Sequence, residues 1–159
     1  MPYRPFEGQN CSVAGALSII GERWTLLVLR ELLLGRRRFK DIQRNTGVAT
    51  NILSDRLQTL VEHGVVERRT SGDVPEYVPT AKGLDAAPVL ITLMQWGDRH
   101  AAPPGGPPRV HVHTTCGHDA DPRLVCGHCG DVLRARELRV RPGPGADEAQ
   151  LAEPLLPAA

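Results

Sequence analysis

The chain of 159 residues carries a formal net charge of +1, and 41% of its residues are hydrophobic. This length suits one ordinary domain with a small appendage, and the apolar content excludes a chain that is disordered throughout. The small net charge excludes a protein that attracts polyanions through its overall field.

The first residues lack the basic, apolar and small-residue phases of a secretion signal, and no apolar run approaches the length of a membrane span. We therefore expect a cytoplasmic protein that does not engage a membrane, whose four cysteines stay reduced. In that compartment, cysteines favour metal or redox chemistry over a disulfide framework.

Hydrophobic periodicity predicts four helices in the first part of the chain. The first has one apolar stripe, formed by Val13, Ala16, Leu17 and Ile20. The second is apolar almost all round, which is typical of a helix in the centre of a bundle. The fourth ends at Gly64, where a C-terminal cap is expected, and has an apolar face formed by Leu53, Leu57, Leu60 and Val61. The predicted helices span residues 12–20, 24–34, 39–45 and 49–63.

A hairpin and a long helix are predicted to follow. The strands cover residues 65–70 and 76–78, with a turn at residues 71–73. The helix covers residues 81–100, with a kink at Pro88 and an inward face formed by Leu84, Ala87, Leu90, Ile91 and Met94. This order of elements is that of a winged helix-turn-helix, a mainly α fold with a two-stranded wing.

Proline and glycine mark the boundary of this domain. Residues 102–108 read Ala-Pro-Pro-Gly-Gly-Pro-Pro, a composition typical of a stiff spacer. We therefore predict a winged-helix domain over residues 1–101 and a linker over residues 102–108. A small module with short β-prone segments is predicted over residues 109–141, and a flexible tail over residues 142–159.

The polar side of the fourth helix suits contact with DNA. It carries short side chains that reach base edges when a helix enters the major groove, namely Thr50, Asn51, Ser54, Asp55 and Gln58. Between residues 30 and 69, nine Arg and Lys outnumber five Asp and Glu. Those expected to lie near phosphates are Arg36, Arg37, Arg38, Lys40, Arg56, Arg68 and Arg69. The alternative is a solvated helix face with arginine-rich loops that only keep the protein soluble.

Several motifs together resemble the HxlR-type transcriptional regulators, relatives of the MarR group. They are residues 11–33, GVATNILSDRL at 47–57, GVVERR at 64–69, EY at 76–77, TAKG at 80–83 and WG at 96–97. The resemblance covers residues 9–100. It implies a homodimer held by the first and last helices, with two recognition helices on a near-palindromic operator in double-stranded DNA. The chain departs from the family in its wing, which is shorter and has Val74 and Pro75 before Glu76.

Cys11 begins the first helix, where the resemblance places a redox-active cysteine in some relatives. Several family members respond to aldehydes, quinones or oxidants. A thiol at a helix N-terminus faces unpaired N–H groups, which favour the thiolate. The alternative is that Cys11 is a small buried apolar group.

Two ligand pairs near the C-terminus predict a structural zinc site in a zinc-ribbon-like module. His113 and Cys116 form one His-x-x-Cys pair, and Cys126 and Cys129 form a Cys-x-x-Cys pair. Two such chelating pairs supply the tetrahedral thiolate and imidazole set that zinc prefers. The imidazole assignment stays open, because other histidines lie nearby, namely His111, His118 and His128.

Two other classes of function remain as alternatives. The sequence Cys126-Gly-His-Cys129 is similar to the dithiol motif of disulfide isomerases, which follows a strand and opens a helix. No strand–helix–strand pattern surrounds it here, so we expect no enzyme. A protein-interaction adaptor whose basic helices never meet DNA is the other alternative, and it predicts no salt-sensitive binding to the DNA upstream of its own gene.

Overall fold

The computed structural model describes residue 6 and residues 8–152. The chain divides into two compact units, Met1–Ala102 and Pro103–Ala159. The first unit contains helices and one hairpin, in the order α1 (Ser12–Ile20), α2 (Thr25–Leu33), α3 (Phe39–Thr46), α4 (Thr50–Glu62), β1 (Val66–Ser71), β2 (Val74–Pro79), α5 (Ala81–Leu84) and α6 (Ala87–His100). The second unit contains a short 3-10 helix, Ala135–Glu137, and α7 (Glu148–Ala152).

The hydrophobic core of the first unit forms around α4. Leu53, Leu57 and Leu60 are fully buried, as their spacing predicts. They belong to one cluster with side chains from α2, from α3 and the turn after it, and from the start of the hairpin, namely Val28, Leu29, Leu32, Ile42, Val48, Val65 and Val66. The apolar second helix therefore lies in the centre of the unit.

A left-handed glycine ends α4. Gly64 has a φ of 65°, and its N–H donates to the carbonyl of Val61, while the N–H of Val65 donates to Leu60. These two bonds form a Schellman motif, which satisfies carbonyls that the helix end leaves unpaired. The chain turns sharply there and enters β1.

The hairpin is longer than the sequence predicts. β1 and β2 pair from Val66 with Pro79 to Ser71 with Val74, leaving Gly72 and Asp73 as a two-residue turn. A third segment joins this sheet, because Arg38 bridges Glu76 and the N–H of Tyr77 donates to the carbonyl of Arg37 at 2.8 Å. The segment before α3 is thereby attached to the wing.

The predicted helix over residues 81–100 is two helices. Thr80 caps α5, since its Oγ1 accepts from the N–H of Gly83 at 3.2 Å and donates to the carbonyl of Gly64 at 2.7 Å. A new helix, α6, then begins with Pro88 in its first turn, a position where the missing N–H of proline costs nothing. The predicted kink is thus a break before α6.

The apolar faces of α1 and α6 are mostly uncovered within one chain. In α1 the buried residue is Ala14, whereas Val13 and Leu17 of the predicted stripe are 65% and 41% exposed and Ala16 is also exposed. Leu84 is 56% exposed, so its predicted inward position is wrong for a single chain. No residue of α6 is buried, and Ala87, Leu90, Ile91 and Met94 are half-buried. The periodicity identifies the apolar face of a helix but not the molecule that covers it.

Among residues 6 and 8–152, no single helix has the length and apolar character needed to cross a membrane. The pair α1 and α2 meets that test only together, across a bend of 76°.

Truncating a leucine of the α4 core should destabilise the first unit. We expect Leu57→Ala to lower the free energy of unfolding by about 2–5 kcal/mol, because it leaves a cavity among fully buried side chains. Urea denaturation followed by far-UV circular dichroism measures the change. The control is Val110→Ala at an exposed site of the second unit, where a change within about 0.5 kcal/mol is expected. Equal stability of wild type and Leu57→Ala would contradict the placement of α4.

Candidate nucleic-acid interface

The outward face of α4 consists of short polar side chains. Thr50, Asn51, Ser54, Asp55 and Gln58 are all exposed. In the part of the chain that the structure describes, the side chains of Asn51, Ser54 and Asp55 make no hydrogen bond, so their donors and acceptors face solvent. A helix with one face locked in a core and the other lined by unengaged polar groups can read base edges.

Two members of this face have partners within the unit. Gln58 donates from Nε2 to Oε1 of Glu62 at 2.8 Å. Thr50 accepts from Nε2 of Gln43 in α3 at 2.7 Å. The second bond ties the start of α4 to α3 across the turn at Gly47, which has a φ of 69°. The role of Gln43 cannot be read from the sequence, because it depends on a contact between two helices.

Four of the seven predicted phosphate-contacting residues form ion pairs within the described chain. Arg36 Nε lies 3.3 Å from Glu31, Arg38 Nε lies 3.7 Å from Glu76, and Arg56 Nη1 lies 3.6 Å from Glu22. Arg69 pairs with Glu67 on the same strand. The sequence does not single out these partner acids, although Glu67 and Arg69 are two residues apart and share one face of β1.

The other three cations have no such partner. Arg37, Lys40 and Arg68 are exposed, and their side chains form no ion pair or hydrogen bond with residues 6 or 8–152. Arg68 lies opposite Tyr77 in the middle of the hairpin, two pairs from its end at Val66 and Pro79. These three groups can approach a polyanion without first breaking an internal contact.

Glu31 is a buried acid beneath this surface. Its side chain is 1% exposed and lies against two cations, Arg30 Nη2 at 2.7 Å and Arg36 Nε at 3.3 Å. Its Oε2 makes no hydrogen bond in the described structure, so the Arg36 contact is an ion pair without hydrogen-bond geometry. A buried charge requires such partners, so in the described structure Arg36 is held against Glu31.

Cys11 lies at the N-cap of α1 and is exposed. Its carbonyl accepts from the N–H of Gly15 at 3.0 Å, and its side chain makes no capping bond. The placement at the helix start is as predicted, and the exposure disagrees with the alternative of a buried apolar group in a single chain.

The two residues of each predicted ligand pair in the second unit lie close together, but the two pairs do not lie close to each other. Nδ1 of His113 lies 3.3 Å from Sγ of Cys116. The N–H groups of Cys129 and His128, together with the Cys129 thiol, lower the pKa of Cys126. Among the described residues no group of three or more His, Cys, Asp or Glu is close enough to share an ion.

The surroundings of Cys126 and Cys129 differ from those of a dithiol oxidoreductase. Both cysteines lie in a turn, and Gly130 follows in a left-handed conformation with a φ of 81°. A helix N-terminus, which lowers the thiol pKa in such enzymes, is missing at this point of the described chain.

Comparison with known proteins identifies the first unit. The HxlR-like helix-turn-helix family matches residues 19–104, more than half of the chain. The chain belongs to this family. It is therefore a transcriptional regulator of a DNA-binding type, and the winged helix-turn-helix of the first unit is confirmed.

Relatives in this family extend beyond the first unit. The chain is 48% identical over 143 residues to Rv3095, an HTH-type transcriptional regulator of Mycobacterium tuberculosis, covering 88% of this chain and 89% of the relative. The structure of PA1607, a candidate transcription factor, has a TM-score of 0.75 at 34% identity and covers 84% of this chain and 95% of its own. Reduced YodB of Bacillus subtilis has a TM-score of 0.50 at 28% identity, covering 58% of this chain and 96% of YodB.

Arg36 and Arg37 are neighbours with different roles, which a stability measurement can separate. We expect Arg36→Ala to lower the free energy of unfolding by about 1–3 kcal/mol, because a buried oxygen of Glu31 loses its cation. Arg37→Ala removes an exposed and unpaired side chain and should change stability by no more than about 0.5 kcal/mol. Thermal unfolding of both variants checks this, and an equal effect would contradict the structural role of Arg36.

Proposed function

We propose that the protein binds a near-palindromic operator as a homodimer and inserts α4 of each chain into the major groove. The observation that carries this proposal is the two-sided character of α4. Leu53, Leu57 and Leu60 are buried in the core, so Asn51 and Ser54 at the start of the helix face outward with unengaged polar atoms. Side chains near the N-terminus of a recognition helix are those that contact base edges.

Unpaired cations around α4 support phosphate contact. Arg37 lies just before α3, Lys40 lies in its first turn, and Arg68 lies on the wing. Phosphate contacts by such groups fix the register of a protein on the duplex, and their counterion release makes affinity depend on salt. Arg38 and Arg69 are more than half exposed in their pairs, and exposed pairs of this kind contribute little to stability. They can exchange their carboxylates for phosphates at small cost.

The uncovered faces of α1 and α6 support a homodimer. Val13 and Leu17 on α1, and Val89, Leu93 and Trp96 on α6, are large apolar side chains that one chain leaves exposed. A second copy of the same two helices would bury them, in the arrangement that the resemblance implies. Two-fold symmetry of the protein would then match the two half-sites of the operator.

Alanine substitutions on the outward face of α4 test the DNA-binding proposal. We expect Asn51→Ala and Ser54→Ala each to weaken binding to DNA that flanks the gene by about tenfold, the cost of a lost base contact. His63→Ala is the matched control, because His63 is exposed at the opposite end of the same helix. Electrophoretic mobility shift assays measure the three affinities. Unchanged binding by the double Asn51→Ala, Ser54→Ala variant, with native circular dichroism, would reject the proposal.

Cys11 is the proposed site of regulation by electrophiles. Its thiol is exposed at the start of α1, a helix that the proposed dimer places at its interface. Addition to a quinone forms a carbon–sulfur bond, the thiol proton passes to one carbonyl oxygen, and the hydrogen of the attacked ring carbon moves to the other oxygen, which gives a hydroquinone thioether. A bulky group at this position would change how the two α1 helices pack and hence the spacing of the two α4 helices.

Replacing the Cys11 sulfur should abolish this response. Benzoquinone is expected to release wild-type protein from its DNA, whereas Cys11→Ser should bind the same DNA normally and stay bound. Mass spectrometry of the wild-type protein should locate the adduct on Cys11. Equal release of the wild-type and serine proteins would show that another residue carries the response.

A further inference from the structure

The second unit contains a structural repeat that is not evident from its sequence. Residues 111–120 and residues 124–133 form two hairpins that share three equivalent backbone hydrogen bonds, thirteen positions apart. Each has one antiparallel bridge, Val112 with Asp119 and Val125 with Val132. The sequences HVHTTCGHDA and LVCGHCGDVL share only the valine, the second ligand cysteine and the glycine after it.

Corresponding bonds have similar lengths in the two hairpins. The N–H of His113 donates to His118 at 2.9 Å, and that of Cys126 donates to Asp131 at 2.8 Å. At the tips, Gly117 donates to the carbonyl of His113 at 2.8 Å, and Gly130 donates to that of Cys126 at 2.8 Å. Both glycines have a positive φ, 74° and 81°. The two hairpin tips therefore adopt the same type of tight turn.

This repeat assigns the histidine that the sequence leaves open. His113 occupies the position of Cys126, and Cys116 occupies the position of Cys129. His113 is also the imidazole beside a cysteine, with Nδ1 at 3.3 Å from Sγ of Cys116. His118 instead directs Nδ1 to the carbonyl of Cys116 at 2.8 Å. Neither His111 nor His128 occupies a position that holds a cysteine in the other hairpin.

The second unit lacks a core that could hold these hairpins together. No residue of 103–152 is buried, and the valines and leucines of both hairpins are exposed, namely Val112, Leu124, Val125, Val132 and Leu133. An isolated two-stranded hairpin is marginal in water. Small modules without a core usually depend on a metal ion or a cross-link for their folded state.

We propose that the second unit binds one zinc ion through His113, Cys116, Cys126 and Cys129, which joins the two hairpins. The ion would take one pair from each tip, and the three thiols would release their protons to solvent as they bind. The described structure holds the pairs apart, so binding requires the hairpins to close on each other. Residues 121–123 alone connect them, and so short a connection keeps their bases within about 14 Å.

A zinc site of this kind has a structural role. Four protein ligands fill a tetrahedral coordination sphere and leave no position for substrate. The site is independent of the DNA-binding proposal, because its four ligands all lie outside the first unit. Rv3095 shares the second unit at least in part, since an alignment over 88% of this chain cannot fit within residues 1–102.

Metal analysis of the full-length chain tests this proposal. Protein purified without chelators should contain about one zinc per chain by inductively coupled plasma mass spectrometry. Cys116→Ser, Cys126→Ser and His113→Ala should each reduce the zinc content at least about tenfold. Loss of a ligand weakens metal binding more than loss of a residue that only supports a ligand does. The control is His128→Ala, which should keep the full zinc content. His128 lies between the two cysteines in sequence, but it does not correspond to a ligand position of the other hairpin. Cobalt exchanged into the wild-type protein should show the visible absorption of a tetrahedral thiolate complex.

Three results would overturn the proposal. Wild-type protein that takes up neither zinc nor cobalt would exclude the site. A content of one zinc per two chains would indicate a site shared between two copies and would exclude a site within one chain. Equal loss of zinc from His128→Ala and His113→Ala would reject the assignment of the imidazole. Normal DNA binding in the cysteine variants would leave the proposed function intact, so the two proposals fail separately.

Discussion

Burial of three leucines on one side of α4 is the constraint on which the rest of the first unit depends. Leu53, Leu57 and Leu60 follow one another at about one helical turn, and all three side chains are buried against α2, α3 and the hairpin. A helix fixed in this way cannot rotate about its axis without exposing them. Its polar side is thereby held outward and rigid, which a surface that reads base edges requires.

The surrounding contacts hold α4 relative to the cations. Gln43 ties the start of α4 to α3, and the segment before α3 is attached to the wing through Arg38 and Tyr77. Arg36 neutralises the buried Glu31 from the same segment. The exposed Arg37 is thus placed by Arg36, which pairs with Glu31, and by its own carbonyl, which accepts from the N–H of Tyr77. Of these two adjacent arginines, Arg36 is paired with a buried acid, whereas Arg37 is exposed and has no side-chain partner among residues 6 and 8–152.

Local sequence signals predict the helices of this protein well and their partners poorly. The period of the leucines and the glycine after them place α4 and its end at Gly64, because both effects act within a few residues. The pairing of Arg56 with Glu22 depends on how α4 packs against the segment before α2, and composition does not reveal it. The exposed stripes of α1 and α6 show the same limit, since an apolar face can be covered by another chain. In the second unit, the repeat is visible only in backbone hydrogen bonds, because few side chains are shared.

Chemical footprinting of guanine N7 on the DNA that flanks the gene tests the central claim most directly, since this atom lies in the major groove. The outward face of α4 should protect two groups of guanines about 10 base pairs apart, or a multiple of that, one for each chain of a dimer. Protection should weaken when Asn51 is replaced by alanine. Protection confined to the minor groove and the sugar–phosphate backbone, with guanine N7 fully reactive, would contradict the account of α4 as the helix that reads DNA.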